Sequence, residues 1–197
     1  MKEKEVRKIN MQFKAEPNDN GEMRIKGYAV VFNSPETYGY TEVIDEHALD
    51  ETDMSDVVLR YNHNDSFMVL ARTRNGSLKL DKDTKGLLMD AVLQNNITDH
   101  VNVYNAIDSE LIDKQSFAFT VEEDTYDYDT DTRTITKIGK LFDVSVVDQP
   151  FYNATDVSVA RDINNNEFLK RRAELRKQHE EKKALEEAKK NLMEKLA

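Results

Sequence analysis

Apolar and polar residues alternate in short runs over most of the chain, the period expected of strands with one buried face. INMQFKA (residues 9–15) alternates throughout, and MRIKGYAVVF (23–32) follows the turn signal Asn18-Asp19-Asn20-Gly21, so the two predict a hairpin. TEVID (41–45) reads as a short strand and EHALD (46–50) as a single helical turn. VVLRY, MVLARTR, SLKLDK and, after the turn DTKG, LLMDAVL continue the series. Their β-branched content predicts buried or half-buried strands in an antiparallel arrangement.

The period changes at Ile97. Ile97, Val101, Tyr104, Ile107 and Leu111 recur every three or four residues, which predicts a helix over 97–113. Strands resume with QSFAFTVEE, TRTITKIG, LFDVSVVD and TDVSVA, the first two joined through the acidic stretch EEDTYDYDTD. From Asn164 onward there is no Gly or Pro, and Glu, Lys, Leu and Ala dominate, which predicts a long solvated helix. Its apolar residues are Phe168, Leu175, Leu185, Leu192 and Leu196, too irregularly spaced for a sustained heptad. The chain therefore divides into a body, residues 1–161, and a charged helical tail, residues 162–197.

The tail holds ten Lys/Arg and eight Asp/Glu, a net +2, so of the chain's net −10 the body carries −12. A body so acidic repels phosphate backbones and argues against nucleic acid as a partner. The chain has no cysteine, which removes disulfides, thiolate metal sites and cysteine nucleophiles from consideration and fits a reducing compartment. No apolar run reaches the roughly 18 residues that span a bilayer. MKEKEVRKIN has no apolar stretch behind its charges, so no signal peptide and no membrane partner are expected.

Hydrolysis by a side-chain nucleophile needs an activating base and a group that orients the base. In VVLRYNHND (57–65), His63 stands where a strand meets a loop, and an imidazole titrates near neutrality. His47 reads as part of a short helical turn, His100 as lying off the apolar stripe of the 97–113 helix, and His179 as a tail residue. Ser116 opens the strand of SFAFTV and shares a face with Ala118 and Thr120, small neighbours that predict open space above it. Two carboxylates compete as the orienting group. Asp143 interrupts the apolar strand LFDVSVVD on the face of Leu141, Ser145 and Val147, and a carboxylate buried there requires a partner. Asp148 stands at the strand's end before Gln149-Pro150 and reads as a turn residue.

These segments, taken in order, resemble the phage prohead maturation proteases of the HK97 type. GYAVVFNSPETYGYTEVIDEHAL is similar to that family's opening strand and the segment after it. Tyr61-Asn62-His63 matches its strand-ending Asn-His. Residues 114–119 (KQSFAF) match its serine strand, with Gln115 and Ala118 where glycines are usual, and LFDVSVVDQP matches its last motif. The family is similar in fold to herpesvirus assemblin, a Ser-His-His protease, and Asp143-Val144-Ser145-Val146 is similar to the stretch that holds its third member. The resemblance implies an α+β, β-rich fold: an antiparallel β-barrel of the assemblin type with a surface helix, followed by the long C-terminal helix. It also implies a serine endopeptidase with Ser116 as nucleophile, His63 as base and Asp143 as orienting group, needing no cofactor or metal. Its expected substrates are the major capsid protein, scaffold segments and itself, cut inside the assembling procapsid in the host cytoplasm, and it is compatible with a homo-oligomer.

Two other readings belong beside this one. A non-catalytic scaffold or assembly chaperone would also suit an acidic body with a long charged helix. A calcium-binding hairpin is suggested by Asp124, Asp127, Asp129 and Asp131, although the run lacks the Gly and terminal Glu of an EF-hand loop. The lysine-rich tail is expected to carry the protein into the procapsid by binding scaffold or capsid helices.

Overall fold

The computed structural model describes residues 3–9, 14–17, 22–37, 39–148 and 167–196. Eleven strands and two longer helices occur among them. They are β1 (Lys4–Ile9), β2 (Lys14–Pro17), β3 (Met23–Val31), β4 (Glu36–Thr37), β5 (Thr41–Ile44), β6 (Val58–Tyr61), β7 (Ala71–Arg72), β8 (Leu78–Lys82), β9 (Gly86–Leu93), α1 (Thr98–Asp108), β10 (Lys114–Asp127), β11 (Thr132–Val147) and α2 (Glu167–Leu196). The architecture is mixed α+β and rich in strands. The turn at residues 18–21 and the TDVSVA segment lie outside the described residues, as does the expected boundary at 161/162. Among the described residues no helix is long and apolar enough to cross a membrane.

The strands form two sheets. One runs β1-β10-β11-β5-β4, with β6 also on β11 and β7 on β6; the other runs β2-β3-β9-β8. Neither order closes on itself among the described residues, so the antiparallel barrel of the assemblin type expected from the resemblance is not seen as a closed barrel. The reason lies in β11, whose second edge is shared. Residues 132–135 take β5 in parallel, and residues 143–146 take β6 in parallel. TRTITKIG and LFDVSVVD, two strands by pattern, are one continuous strand, because Gly139 does not interrupt the ladder.

Alternation explains the second sheet. Leu87, Met89, Ala91 and Leu93 of β9 face inward, while Asp90 faces out and holds Arg24 of β3 through bonds of 2.7 and 2.9 Å. β3 shifts register between Tyr28 and Val30, which buries Ala29 and Val30 in succession. There the two backbones approach so closely that a Cβ at Gly86 would lie 2.0 Å from the Val30 carbonyl oxygen. β10 differs, because residues 115–119 are buried without interruption, so both of its faces are covered. Phe117 and Phe119 stack on one face at 4.8 Å, each contributing about 1.5–3 kcal/mol through burial.

Three local expectations change. MVLARTR supplies only Ala71 and Arg72 to a strand, and Thr73–Asn75 turn into a 3-10 helix. The helix stops at Asp108, and Leu111 is exposed. Its buried residues are His100, Val103 and Ile107, so the inward stripe is rotated from the apolar one. His100 belongs there because its ring accepts from the Gln94 amide (3.0 Å) and lies 3.1 Å from the Val69 carbonyl oxygen, and burial lowers its basicity.

The chain divides into two compact units, residues 1–127 with 131–151, and residues 128–130 with 152–197. In the second, the α2 residue His179 stacks on Tyr128 at 5.0 Å, Phe168 is buried, and Leu185 is exposed. Leu185, being exposed, belongs to no packed seam among the described residues.

Candidate active site

β11 lies between β10 and β6 and sets the positions of all three candidate residues. Its register places Ser145 opposite Ser116 of β10, and Asp143 opposite Ala118. On its other edge Ser145 pairs with Arg60 and Val146 with Tyr61 of β6. The chain leaving β6 must then turn back over the sheet. Asn62 and His63 do this with successive left-handed conformations, φ 51° and 53°. Asn tolerates that region better than most residues, and the turn is held by the Asn62 amide donating to Val146 O (2.9 Å) and the Asp148 amide donating to Asn62 Oδ1 (3.2 Å).

The turn directs the imidazole between two side chains. His63 Nε2 is 2.6 Å from Ser116 Oγ, and His63 Nδ1 is 2.5 Å from Asp143 Oδ1. The structure therefore brings Ser116, His63 and Asp143 into one hydrogen-bonded line. Asp148, the alternative carboxylate, instead accepts from the Tyr61 hydroxyl at 2.9 Å. His47 lies away from the line beside Asp50, and His100 is occupied as described above.

Asp143 is well furnished for a buried carboxylate. Its Oδ1 accepts from Ser145 Oγ (2.9 Å), and its Oδ2 meets Lys4 Nζ at 3.2 Å. Burial alone would push the carboxyl up, but the hydrogen bond and charge of His63, with Lys4 and Ser145, outweigh it and hold the group below its usual value. An ionised Asp143 selects the tautomer with a proton on Nδ1, which leaves Nε2 free to accept the serine proton. Ser145 Oγ also lies 3.1 Å from His63 Nδ1, so it borders the same contact.

Ser116 differs from expectation in one respect. The space above it is filled, because its side chain is fully buried and its hydroxyl lies 2.8 Å from the Arg7 carbonyl oxygen of β1.

Beneath β1 lies a cluster of charges that the sequence reading did not single out. Arg7 meets both oxygens of Glu42 and also Glu5. Arg133 donates to Glu5 (2.8 and 3.1 Å), Glu42 (3.0 Å) and Asp124 (2.7 Å), while the Tyr40 hydroxyl donates to Glu42 at 3.2 Å. Burial lifts the Tyr40 phenol to about 12. Glu42 shares a strand face with buried Ile44, and a carboxylate on an inward face is a signal that a cation lies nearby. Asp124 and Asp131, two of the carboxylates weighed for calcium, bond Arg133 and the Tyr126 hydroxyl.

The class of protein follows from comparison with known families. The caudovirus prohead serine protease family model matches residues 9–168, so the chain belongs to that family and is a serine protease. More particularly, it is a phage prohead protease, a hydrolase of capsid maturation that acts within the assembling procapsid in the host cell. No curated protein and no solved structure matches the chain.

Proposed function

We propose that this protein is an endopeptidase whose reacting serine is Ser116, with His63 as general base and Asp143 as the residue that orients and stabilises the imidazole. The observation that carries this reading is the line Ser116 Oγ–His63–Asp143, with separations of 2.6 and 2.5 Å. Ser116 Oγ attacks a peptide carbonyl carbon while its proton passes to His63 Nε2. The tetrahedral adduct collapses as His63 returns the proton to the leaving amine. Water then enters and attacks the acyl carbon as its proton passes to His63, and the acyl group leaves as a carboxylic acid when His63 returns that proton to Ser116 Oγ. Asp143 stays ionised throughout and balances the imidazolium.

The substrates are the major capsid protein and scaffold segments, together with copies of the protease itself. Residues 1–161 form the protease domain, and the helical tail after it delivers the protein to the procapsid. The test is processing of capsid precursor mixed with purified protein. Ser116→Ala and His63→Ala each lower cleavage about 10⁴-fold or more while the circular dichroism spectrum stays native. A Ser116→Ala protein that still processes the precursor removes this reading and leaves a non-catalytic assembly factor.

A further inference from the structure

β1 lies where a substrate would. It runs antiparallel to β10, with Lys8 opposite Ser116 and Arg7 opposite Phe117, and among the described residues it is the end strand of its sheet. An extended segment added to the edge that carries the nucleophile is a recurring way of holding a peptide. The contact at the centre is specific. Ser116 has one hydroxyl proton, and both Arg7 O (2.8 Å) and His63 Nε2 (2.6 Å) are within reach of it. While the proton lies toward Arg7 O, His63 cannot take it, and the carbonyl oxygen rather than its carbon faces the nucleophile. β1 is thus held as an occupant and is not attacked.

The side chains of β1 show what the edge accepts. Arg7 and Glu5 share one face, and Val6 between them points away and is exposed. The Arg7 guanidinium meets both oxygens of Glu42, with Nη2 at 2.8 Å from Oε2, and lies 5.7 Å from the centre of the Phe119 ring. Glu5 takes both of its Arg133 bonds on its two carboxylate oxygens. Glu42 belongs to β5 and Arg133 to β11, not to β1, and together they match an acidic residue two places before an arginine.

The same pattern occurs elsewhere in the chain. Residues 5–8 read Glu-Val-Arg-Lys, and residues 174–177 in α2 read Glu-Leu-Arg-Lys. Glu174, Arg176 and Lys177 are exposed, on a helix that propensity rather than burial sustains. We infer that β1 fills a substrate groove selective for Glu-x-Arg segments, that Glu42 and Arg133 determine this selectivity, and that the protease cuts the tail of another copy between Arg176 and Lys177. This rests on Ser116 being the nucleophile. In the cut, Ser116 Oγ bonds to the Arg176 carbonyl carbon, the bond to the Lys177 nitrogen breaks, and His63 supplies that amine with the serine proton. Water then releases Arg176 as a free carboxylate.

The test follows the intact mass of the full chain during incubation, alongside hydrolysis of the peptide Ala-Glu-Leu-Arg-Lys-Gln. The expected result is release of residues 177–197, abolished by Ser116→Ala and by Arg176→Ala, the latter an exposed helix position. In the peptide, replacing Arg by Ala lowers kcat/KM about 100-fold or more, and replacing Glu by Ala lowers it about tenfold. Glu42→Gln erases the preference for Arg. The peptide series on the native chain carries the test if that variant does not fold. Arg7→Ala weakens the hold of β1 and speeds peptide cleavage; slower cleavage overturns the assignment of β1 as an occupant. Ser116-dependent cleavage at other bonds, with Arg176–Lys177 intact and the peptide uncut, overturns the selectivity and leaves the protease reading standing. Absence of Ser116-dependent cleavage of the chain, the peptide and capsid precursor alike overturns both.

Discussion

Ser116 and Ser145 face each other across β10 and β11, and the His63 ring bridges them, with Nε2 2.6 Å from the first hydroxyl and Nδ1 3.1 Å from the second. The two serines have different surroundings. Ser116 lies against the Arg7 carbonyl, whereas Ser145 donates to Asp143 Oδ1 at 2.9 Å. One register thus sets both the distance from His63 to Ser116 and the contact of Ser145 with the far side of the ring.

Ser145→Ala removes that contact without touching the nucleophile. Asp143 then loses one donor, and the imidazole has more freedom to turn. The expected result is a fall in kcat of about tenfold with KM unchanged, together with a shifted pH profile. A full loss of turnover would mean that Ser145 takes part in the chemistry itself.

Asp143→Asn keeps the volume and removes the charge. An amide does not favour the Nδ1–H tautomer, so Nε2 is no longer reliably free to accept a proton. Turnover is expected to fall about 10⁴-fold while the fold persists. If the fall is small and Asp148→Asn produces the large one, the orienting role passes to Asp148.

The charge cluster under β1 makes the fold sensitive to acid. Burial acts to raise the Glu5 carboxyl, but the bonds and charges of Arg133 and Arg7 prevail and bring it from 4.5 down to about 2. A carboxyl depressed by folding stabilises fully above its unfolded value, and that stability is lost as pH falls toward the folded value. The melting temperature should therefore hold above about pH 5 and fall between 4.5 and about 2. The shift corresponds to a contribution on the order of 3 kcal/mol. Glu5→Gln should show a flatter acid limb, and an identical limb would show that the cluster does not govern acid unfolding.

Gln115 lies in the core next to Ser116. Its amide nitrogen contacts the Met89 sulfur at 3.1 Å, and its Oε1 is buried with no hydrogen-bond partner among the described residues. Gln115→Leu removes an unsatisfied oxygen at similar volume and should stabilise the fold by about 1 kcal/mol, measured by urea unfolding. Destabilisation would mean that the oxygen has a partner such as a buried water.

Much of the architecture was legible in the order of residues. Period-two alternation marks β3, β5, β8 and β9, because a strand with one wet face must alternate. Three- and four-residue spacing marks α1, and propensity marks α2. Asp143 inside an apolar strand stood out because burying a carboxylate requires a partner, and His63 because it stands where a strand meets a loop. Long-range pairing was not legible. Whether β5 and β6 would share one edge of β11 in parallel, whether β1 would cover Ser116, and whether Arg7 and Arg133 would meet Glu42 all depend on contacts between residues distant in the chain. Local pattern carries no record of register. Only the assembled sheet brings residues 63, 116 and 143 within hydrogen-bonding distance, because the strands on either side of β11 take their positions from its ladder and not from their own sequences.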